Sequence, residues 1–427
     1  MIATAMTILL VLIGLSIPVG AALGVLGLTL DPMFSELPLT RALGEISWNS
    51  NNEFLLVAIP LFILLGEVLL RAGLAEKMYQ SMSLWLSWLP GGLMHANIGA
   101  STLFSATSGS SVATSATVGT VAIPQIKKHG YKESLFLGSL AAGGTLGILI
   151  PPSINLVLYG VLTNSSVPKL YLAGIIPGFM LAGMFILIII IACVLKPEWG
   201  GKKIYASWGE RFRSLVNLLP PLGIFFLVVG SIYAGLATAT EAAALGVFGA
   251  LVLAAFYRRL SLNMLREAIE GTMKSTAMIM LIVIAAAFLN FVMSATGLTN
   301  AITDFIGGLG LSAGWMLLVL VIFYLVLGCF METLSMMITT IPIVTPVMIG
   351  LGYDPVWLGI MIIILVEAAL ITPPVGMNLF VVQSLRKSGS MNDVIVGSLP
   401  FVAAMFVMLL LLSLFPAIAM WMPTTFG

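Results

Sequence analysis

Charge is scarce in this chain: 8% of its 427 residues are Asp, Glu, Lys or Arg, against about 25% in an ordinary soluble domain. With 60% hydrophobic residues, that balance excludes a soluble globular protein and places the chain in a bilayer. Cysteine is nearly absent. Cys193 and Cys329 stand apart inside apolar runs, which excludes a disulfide framework or thiolate cluster and leaves them as small packing residues. The two histidines, His95 and His129, are isolated, and no HExxH, GxSxG or Walker GKS/T sequence occurs. Metallohydrolase, serine-hydrolase and ATP-driven chemistry are thereby excluded. A formal net charge of +1 offers no basic field for nucleic acid. No Lys or Arg precedes Arg41, so the positive start of a secretory signal is missing, and Met1 to Leu30 reads as the first membrane helix.

What the chain has in quantity is apolar length, together with 43 Gly and 21 Pro. Membrane helices tolerate both residues because neighbouring elements re-satisfy the freed backbone. Stretches long enough to span run near 5–30, 54–70, 133–162, 170–195, 214–235, 240–257, 275–293, 355–385 and 397–422. Two more, 97–126 and 313–350, carry Gly, Ser, Thr or Pro at their centres and read as re-entrant hairpins. With the N-terminus inside, every one of the 18 Lys and Arg except Arg41 and Lys169 falls on the cytoplasmic side. The positive-inside rule therefore predicts a cytoplasmic N-terminus and a periplasmic C-terminus. The stretches around Trp85 and Trp88 and from Leu260 to Lys274 read as helices lying along the interface.

The chain repeats itself. AALGVLG at Ala21–Gly27 returns as AALGVFG at Ala243–Gly249, and the same separation pairs Pro124 with Pro346, Gly130 with Gly352, Tyr131 with Tyr353, Pro151 with Pro373 and Pro152 with Pro374. An odd number of crossings between equivalents predicts two units of opposite orientation, the architecture of transporters built from inverted repeats. Residues 1–427 thus form one integral membrane unit. Repeat one covers 5–195, with its hairpin at 97–126 and a broken helix at 133–162. A helix at 214–235 connects it to repeat two at 227–422, with a hairpin at 313–350 and a broken helix at 355–385.

Ser and Thr fill nine of the sixteen positions from Ser105 to Thr120, around the tip Thr107, Ser108, Gly109, Ser110, Ser111. Small hydroxyl residues let helices pack closely, but an unwound Thr-Ser-Gly-Ser-Ser turn also offers the hard oxygen ligands that Na+ takes. In each repeat the following helix is interrupted by Pro151-Pro152 or Pro373-Pro374. Proline removes a donor, so carbonyls near Ile150 and Thr372 are freed at membrane depth, and the restarting half-helix presents a positive end suited to a carboxylate. Asn155 and Asn378 follow the two breaks. Glu332 stands at the position matching Ser110 and can bind a cation, carry a proton or brace the hairpin. Glu67 pairs with Arg71 one turn away, Glu241 reads as a first-turn acid, and Glu367 is left without a reading.

The run GASTLFSATSGSSVATSATVGTVAIPQIKKHGY followed by AAGGTLGILIPPSI resembles the large membrane subunit of TRAP (tripartite ATP-independent periplasmic) transporters. METLSMMITTIPIVTPV with LITPPVGMNLF resembles the second hairpin and broken helix of the same family. The resemblance covers essentially the whole chain. It implies a sodium-driven importer of small organic acids in the bacterial inner membrane, an all-α elevator in which a transport domain slides against a scaffold. It also implies two partners, a small membrane subunit and a periplasmic substrate-binding protein. One sodium site would use Ser108, Gly109, Ser110 and Ser111 with Gly147, Ile150 and Pro152. A second would use Gly328, Glu332, Thr333 and Ser335 with Thr372 and Met377. Substrate would lie between the tips, with Ser110, Ser111, Asn155, Thr333, Ser335 and Asn378 as its contacts. Two other readings are a stand-alone sodium:carboxylate symporter and a channel or structural subunit, and the paired broken helices argue against the last.

Overall fold

The structure, a computed structural model, describes every residue except Ser16, Lys203, Ile204, Leu309, Leu311, Phe330, Pro374, Val375 and Lys387, and not the side chains at 106–108, 303 and 305–307. Pro374, the side chain of Ser108 and two of the expected cytoplasmic cations therefore lie outside the described residues. Every regular element among those described is helical. The first group is α1 (Ile2–Gly14), α2 (Val19–Phe34), α3 (Leu43–Asn51), α4 (Ala58–Arg71) and α5 (Leu74–Leu86). Then come α6 (Leu93–Ser108), α7 (Ser111–His129), α8 (Glu133–Thr145), α9 (Ile154–Thr163) and α10 (Val167–Leu195). The middle holds α11 (Trp208–Leu215), α12 (Leu219–Tyr233), α13 (Ala239–Phe256), α14 (Leu262–Ala295) and α15 (Leu298–Gly308). The chain ends with α16 (Ala313–Leu327), α17 (Thr333–Gly350), α18 (Pro355–Ile371), α19 (Met377–Ser384), α20 (Met391–Leu414) and α21 (Ala417–Phe426).

Seven stretches among the described residues are long and apolar enough to cross a membrane: Phe54–Arg71, Val167–Leu195, Trp208–Tyr233, Ala239–Phe256, Leu262–Ala295, Thr333–Gly350 and Met391–Leu414. Three expectations need correction. Met1 to Leu30 is two helices, because Pro18 supplies no donor and the chain restarts at Val19. Leu260 to Lys274 is no separate interfacial helix: Ser261 caps α14, no proline follows, and the helix runs unbroken to Ala295. The stretch 397–422 is divided at Pro416 into α20 and α21.

Elements fall in the register of the sequence repeat. Helices α7 and α17 start at Ser111 and Thr333, α8 and α18 at Glu133 and Pro355, the separation that joins the two AALGV segments. Two tyrosines at matching positions fasten the hairpins at their bases. Tyr131 accepts from the Leu93 N–H at 2.9 Å, and Tyr353 donates to the Ala313 carbonyl at 2.9 Å.

A helix that is apolar all round belongs in the centre. Every residue of α8 from Leu135 to Thr145 and of α18 from Val356 to Ile371 is buried. Around them pack α6, α7, α9, α10, α16, α17, α19 and α20, while α2, α4, α12, α13 and α14 form a second group along the side. The two groups meet chiefly where α6 lies on α4 and α12, where α9 lies on α4 and where α17 lies on α14. Polar contacts at the ends hold the second group's connections. Glu67 pairs with Arg71, which also reaches Glu267 at 3.5 Å, and Thr238 and Glu241 cap each other at the start of α13.

The α8–α20 crossing depends on two glycines. A methyl group on Gly138 would overlap the Gly397 carbonyl, and one on Gly397 would overlap the Ser134 carbonyl. Overpacking of this kind costs about 1–3 kcal/mol or more. Gly138→Ala is expected to lower the thermal unfolding temperature in detergent, whereas Gly183→Ala, with nothing within 4 Å of the new methyl, is not. Equal unfolding temperatures would contradict the close crossing.

Candidate functional site

The first turn is built by local backbone rules. Gly109, at φ +61°, ends α6 with its N–H on the Ser105 carbonyl at 3.0 Å, a left-handed stop that suits glycine. Ser110 then caps α7, accepting from Ala113 N at 3.4 Å. Opposite this turn, α8 gives way to a single tight turn at Leu146–Ile148 and an irregular stretch to Ser153. Ser153 restarts the chain by accepting from Leu156 N and donating to the Ile148 carbonyl. No described donor reaches the Ile150 or Pro152 carbonyl.

The turn and the break touch. A methyl group at Gly109 would lie 3.2 Å from the Pro152 carbonyl oxygen, and one at Gly147 would lie 3.1 Å from both the Ser110 carbonyl and the Ser105 hydroxyl. Gly109, Ser110, Gly147 and Pro152 are therefore brought together, with the free Ile150 carbonyl in the same break. Ser111 is buried at the start of α7. The cluster presents carbonyl and hydroxyl oxygens without a formal charge, the donor set of a hard monovalent cation.

The second turn is held differently. Glu332 caps α17: its carboxylate accepts from Leu334 N and Ser335 N, both at 3.2 Å, and from the hydroxyls of Thr333 at 3.2 Å and Ser335 at 3.1 Å. Ser110 and Glu332, matched in the repeat, thus occupy the same structural position. Of the three roles open to Glu332, the geometry displays bracing. Gly328 approaches α18 so closely that a methyl group there would overlap Ala369. Thr372 leaves the helix in an extended conformation with its hydroxyl on the Ala368 carbonyl at 2.6 Å. The bonds of Glu332 stay within its own turn and reach neither Thr372 nor the exposed Met377, so the second set is assembled only in part.

Asn155 and Asn378 are buried beside the breaks. Asn378 donates to the Ala141 carbonyl at 3.4 Å, which joins the second break to the first half. Sequence reasoning missed Ser153, whose capping place follows only once the break is located, and Ser105, Ser101 and Asn97. Their four-residue spacing along α6 is a signal that could have found them. Glu367 is 0% exposed, and neither carboxyl oxygen has a partner among the described residues. At the hairpin's outer end, burial together with Lys128 and Lys202 lowers His129 below the ordinary histidine value.

The family model of the tripartite ATP-independent periplasmic transporter DctM component matches residues 6–418. The chain belongs to this family. It is similar to the C4-dicarboxylate TRAP transporter large permease protein of Vibrio cholerae, 32% identical over 96% of this chain and 94% of that one. It is also similar to the ectoine TRAP transporter large permease protein of Halomonas elongata, at 30% identity over 99% and 98%. An isethionate TRAP transporter permease protein of Oleidesulfovibrio alaskensis matches at 31% identity over 95% of this chain and 64% of its own length. Among solved structures, the Alcanivorax borkumensis YdaH transporter shares the fold, with a TM-score of 0.61 at 16% identity over 90% of this chain and 89% of that one. The TRAP permease is thus a multi-pass inner-membrane transport protein and not an enzyme.

If Glu332 braces the turn, Glu332→Ala should destabilise this TRAP permease by about 1–2 kcal/mol through loss of the cap. Glu332→Asp, which keeps a carboxylate at the cap, should retain most of that stability. Thermal unfolding checks it, and an unaltered Glu332→Ala would remove the bracing role.

Proposed function

We propose that this chain is the permease of a sodium-coupled, binding-protein-dependent importer of small organic acids. The observation that carries the proposal is the seating of the Gly109–Ser110 turn against a broken helix whose Ile150 and Pro152 carbonyls have no donor. Unbonded carbonyls in a buried break are costly unless something else satisfies them, and a dehydrated Na+ does so. Ser108, Gly109, Ser110, Ser111, Gly147, Ile150 and Pro152 would hold one ion. Gly328, Glu332, Thr333, Ser335, Thr372 and Met377 would hold a second, with Glu332 also keeping its turn in shape.

An organic acid bound between the turns would meet Asn155 and Asn378 and the positive N-terminal ends of α9 and α19, the half-helices that restart after the breaks. The matched halves, read as inverted repeats, would exchange outward and inward geometry, with the α6–α10 and α16–α20 group sliding along α2, α4 and α12–α14. The clustering of cations supports a cytoplasmic N-terminus and periplasmic C-terminus. A small membrane subunit and a periplasmic binding protein complete the importer. Uptake into proteoliposomes without a binding protein would favour a self-sufficient symporter instead.

The test is thermal stability of the purified chain titrated with NaCl against KCl and choline chloride at constant ionic strength, since a ligand that binds the native state stabilises it. Saturable stabilisation by Na+ alone is expected. Ser110→Ala and Thr372→Ala should each move its midpoint to about tenfold higher Na+, equivalent to about 1.4 kcal/mol, while Thr29→Val, at a half-buried position of α2 away from both turns, leaves it in place. Stability indifferent to the cation would defeat sodium coupling at these turns.

A further inference from the structure

One seam gathers four buried oxygens that no described residue satisfies. Asn97, Ser101 and Ser105 follow each other at four-residue intervals on α6, and Ser115 faces them from α7; all four are 0% exposed. Asn97 Oδ1 and the hydroxyls of Ser101, Ser105 and Ser115 have no hydrogen-bond partner among the described residues. All four residues lie against the glycine face of α8. A methyl group at Gly143 would stand 3.0 Å from the Ser101 hydroxyl and 3.2 Å from the backbone carbonyl of Asn97, one at Gly147, just past the end of α8, would stand 3.1 Å from the Ser105 hydroxyl, and one at Gly144 would overlap Ser115.

Helix packing does not require this arrangement. Hydroxyls placed only to let helices approach normally return a bond to a carbonyl of their own helix, as Thr102 does to Ile98 at 2.8 Å and Ser139 to Phe136 at 2.7 Å. Ser101, Ser105 and Ser115 do not. Their oxygens are held, unbonded, in a row that begins beside Ser110 and Gly147 and descends α6 in steps of about 6 Å. At its lower end Asn97 donates to Ser139 at 2.8 Å, close to the hairpin base that Tyr131 fastens.

We propose that this row is a cation relay, through which Na+ leaves the first turn toward the open end of the hairpin. The inference rests on the sodium coupling proposed above and adds the route. Ser105, next to the Ser110 carbonyl, takes the ion first, then Ser101, then Asn97. Each offers an oxygen without a hydrogen-bond partner among the described residues, so of the bonds along the row only the one from Asn97 to Ser139 yields as the ion passes. The glycines of α8 keep the opposite wall free of side chains. With all four side chains fully buried the seam is closed, and it conducts when α6 and α8 part by about the width of a water molecule.

The experiment uses the purified full-length chain and Na+ itself. The midpoint of thermal stabilisation by NaCl gives affinity, and 23Na transverse relaxation gives the off-rate. Ser101→Ala removes the middle step and leaves the first turn intact. The expected result is an unchanged midpoint, an off-rate about tenfold slower, and stability without Na+ equal or higher, since the lost hydroxyl had no partner. Thr102→Val, on the neighbouring face of α6, should alter neither quantity. An unchanged off-rate in Ser101→Ala overturns the relay alone, as does equal slowing by Thr102→Val. A moved midpoint makes Ser101 a ligand of the ion site and also overturns the relay. A parent chain indifferent to Na+ overturns the relay and the sodium coupling together.

Discussion

Hydrocarbon offers no hydrogen bonds, so a helix may break at membrane depth only where protein surrounds the break. The rest of this structure follows from that constraint. The two proline breaks end α8 and α18, and these are the helices buried on every side. Eight other helices enclose them, and close approaches are made at Gly138, Gly144, Gly397 and Gly328, where the absence of a side chain sets the distance. The glycine content of the chain is in this sense a consequence of the prolines. Interrupted helices need a dense wrapping, and dense wrapping in a membrane comes from small residues.

The same constraint acts on the hairpin turns, and the two halves answer it with different chemistry at one position. A helix N-terminus leaves donors without acceptors. Ser110 accepts one with a hydroxyl, while Glu332 accepts two backbone and two side-chain donors with a carboxylate. The first turn is therefore neutral, with its carbonyls turned to the break, and the second carries a charge spent within itself. Two turns at matched positions of the sequence repeat can thus differ in what they offer a cation while each starts a helix. The tyrosines at the hairpin bases show the same exchange of roles, one accepting from an N–H and one donating to a carbonyl.

Much of this was legible in the sequence, for identifiable reasons. Pro151-Pro152 and Pro373 punctuate the chain wherever they stand, so the breaks could be placed from residue type alone. The Thr-Ser-Gly-Ser-Ser turn, the Glu67–Arg71 pair and the first-turn place of Glu241 are likewise local patterns. The differences are also local in origin: Pro18 stands inside an apolar run that otherwise reads as one helix, and the polar surface at the start of α14 has the pattern of a separate interfacial helix. What the sequence hid depends on tertiary contact. Arg386, 3% exposed at its side chain, pairs with Glu133 at 2.7 Å and Asp393 at 3.3 Å, a junction of α8, α19 and α20 that no spacing announces. The bond from Asn378 to Ala141 is of the same kind, and so is the contact of Gly147 with Ser105 and Ser110.

Where local rules are satisfied and where they are broken divides the molecule in an informative way. Charged groups at several helix ends have partners, among them Glu67, Arg71, Glu133 and Arg386, as do the capping residues Ser207, Thr238, Asp354 and Ser390. Among the described residues, buried polar atoms without partners include those of Asn155 and Asn378 beside the breaks, Glu367 before Thr372 and the α6–α7 oxygens facing α8, and others lie away from the breaks, at Arg71, Tyr79, His95, Arg211, Thr276 and Arg386. Each unsatisfied buried group costs about 1–3 kcal/mol, and a fold selected for stability alone would have replaced serines in such places with alanine. The group beside the breaks differs from the rest in lying where α8 and α18 are interrupted, at the depth where hydrocarbon offers no replacement bond. The outer helices, apolar toward lipid and satisfied at their ends, supply the rigid frame that such a departure requires.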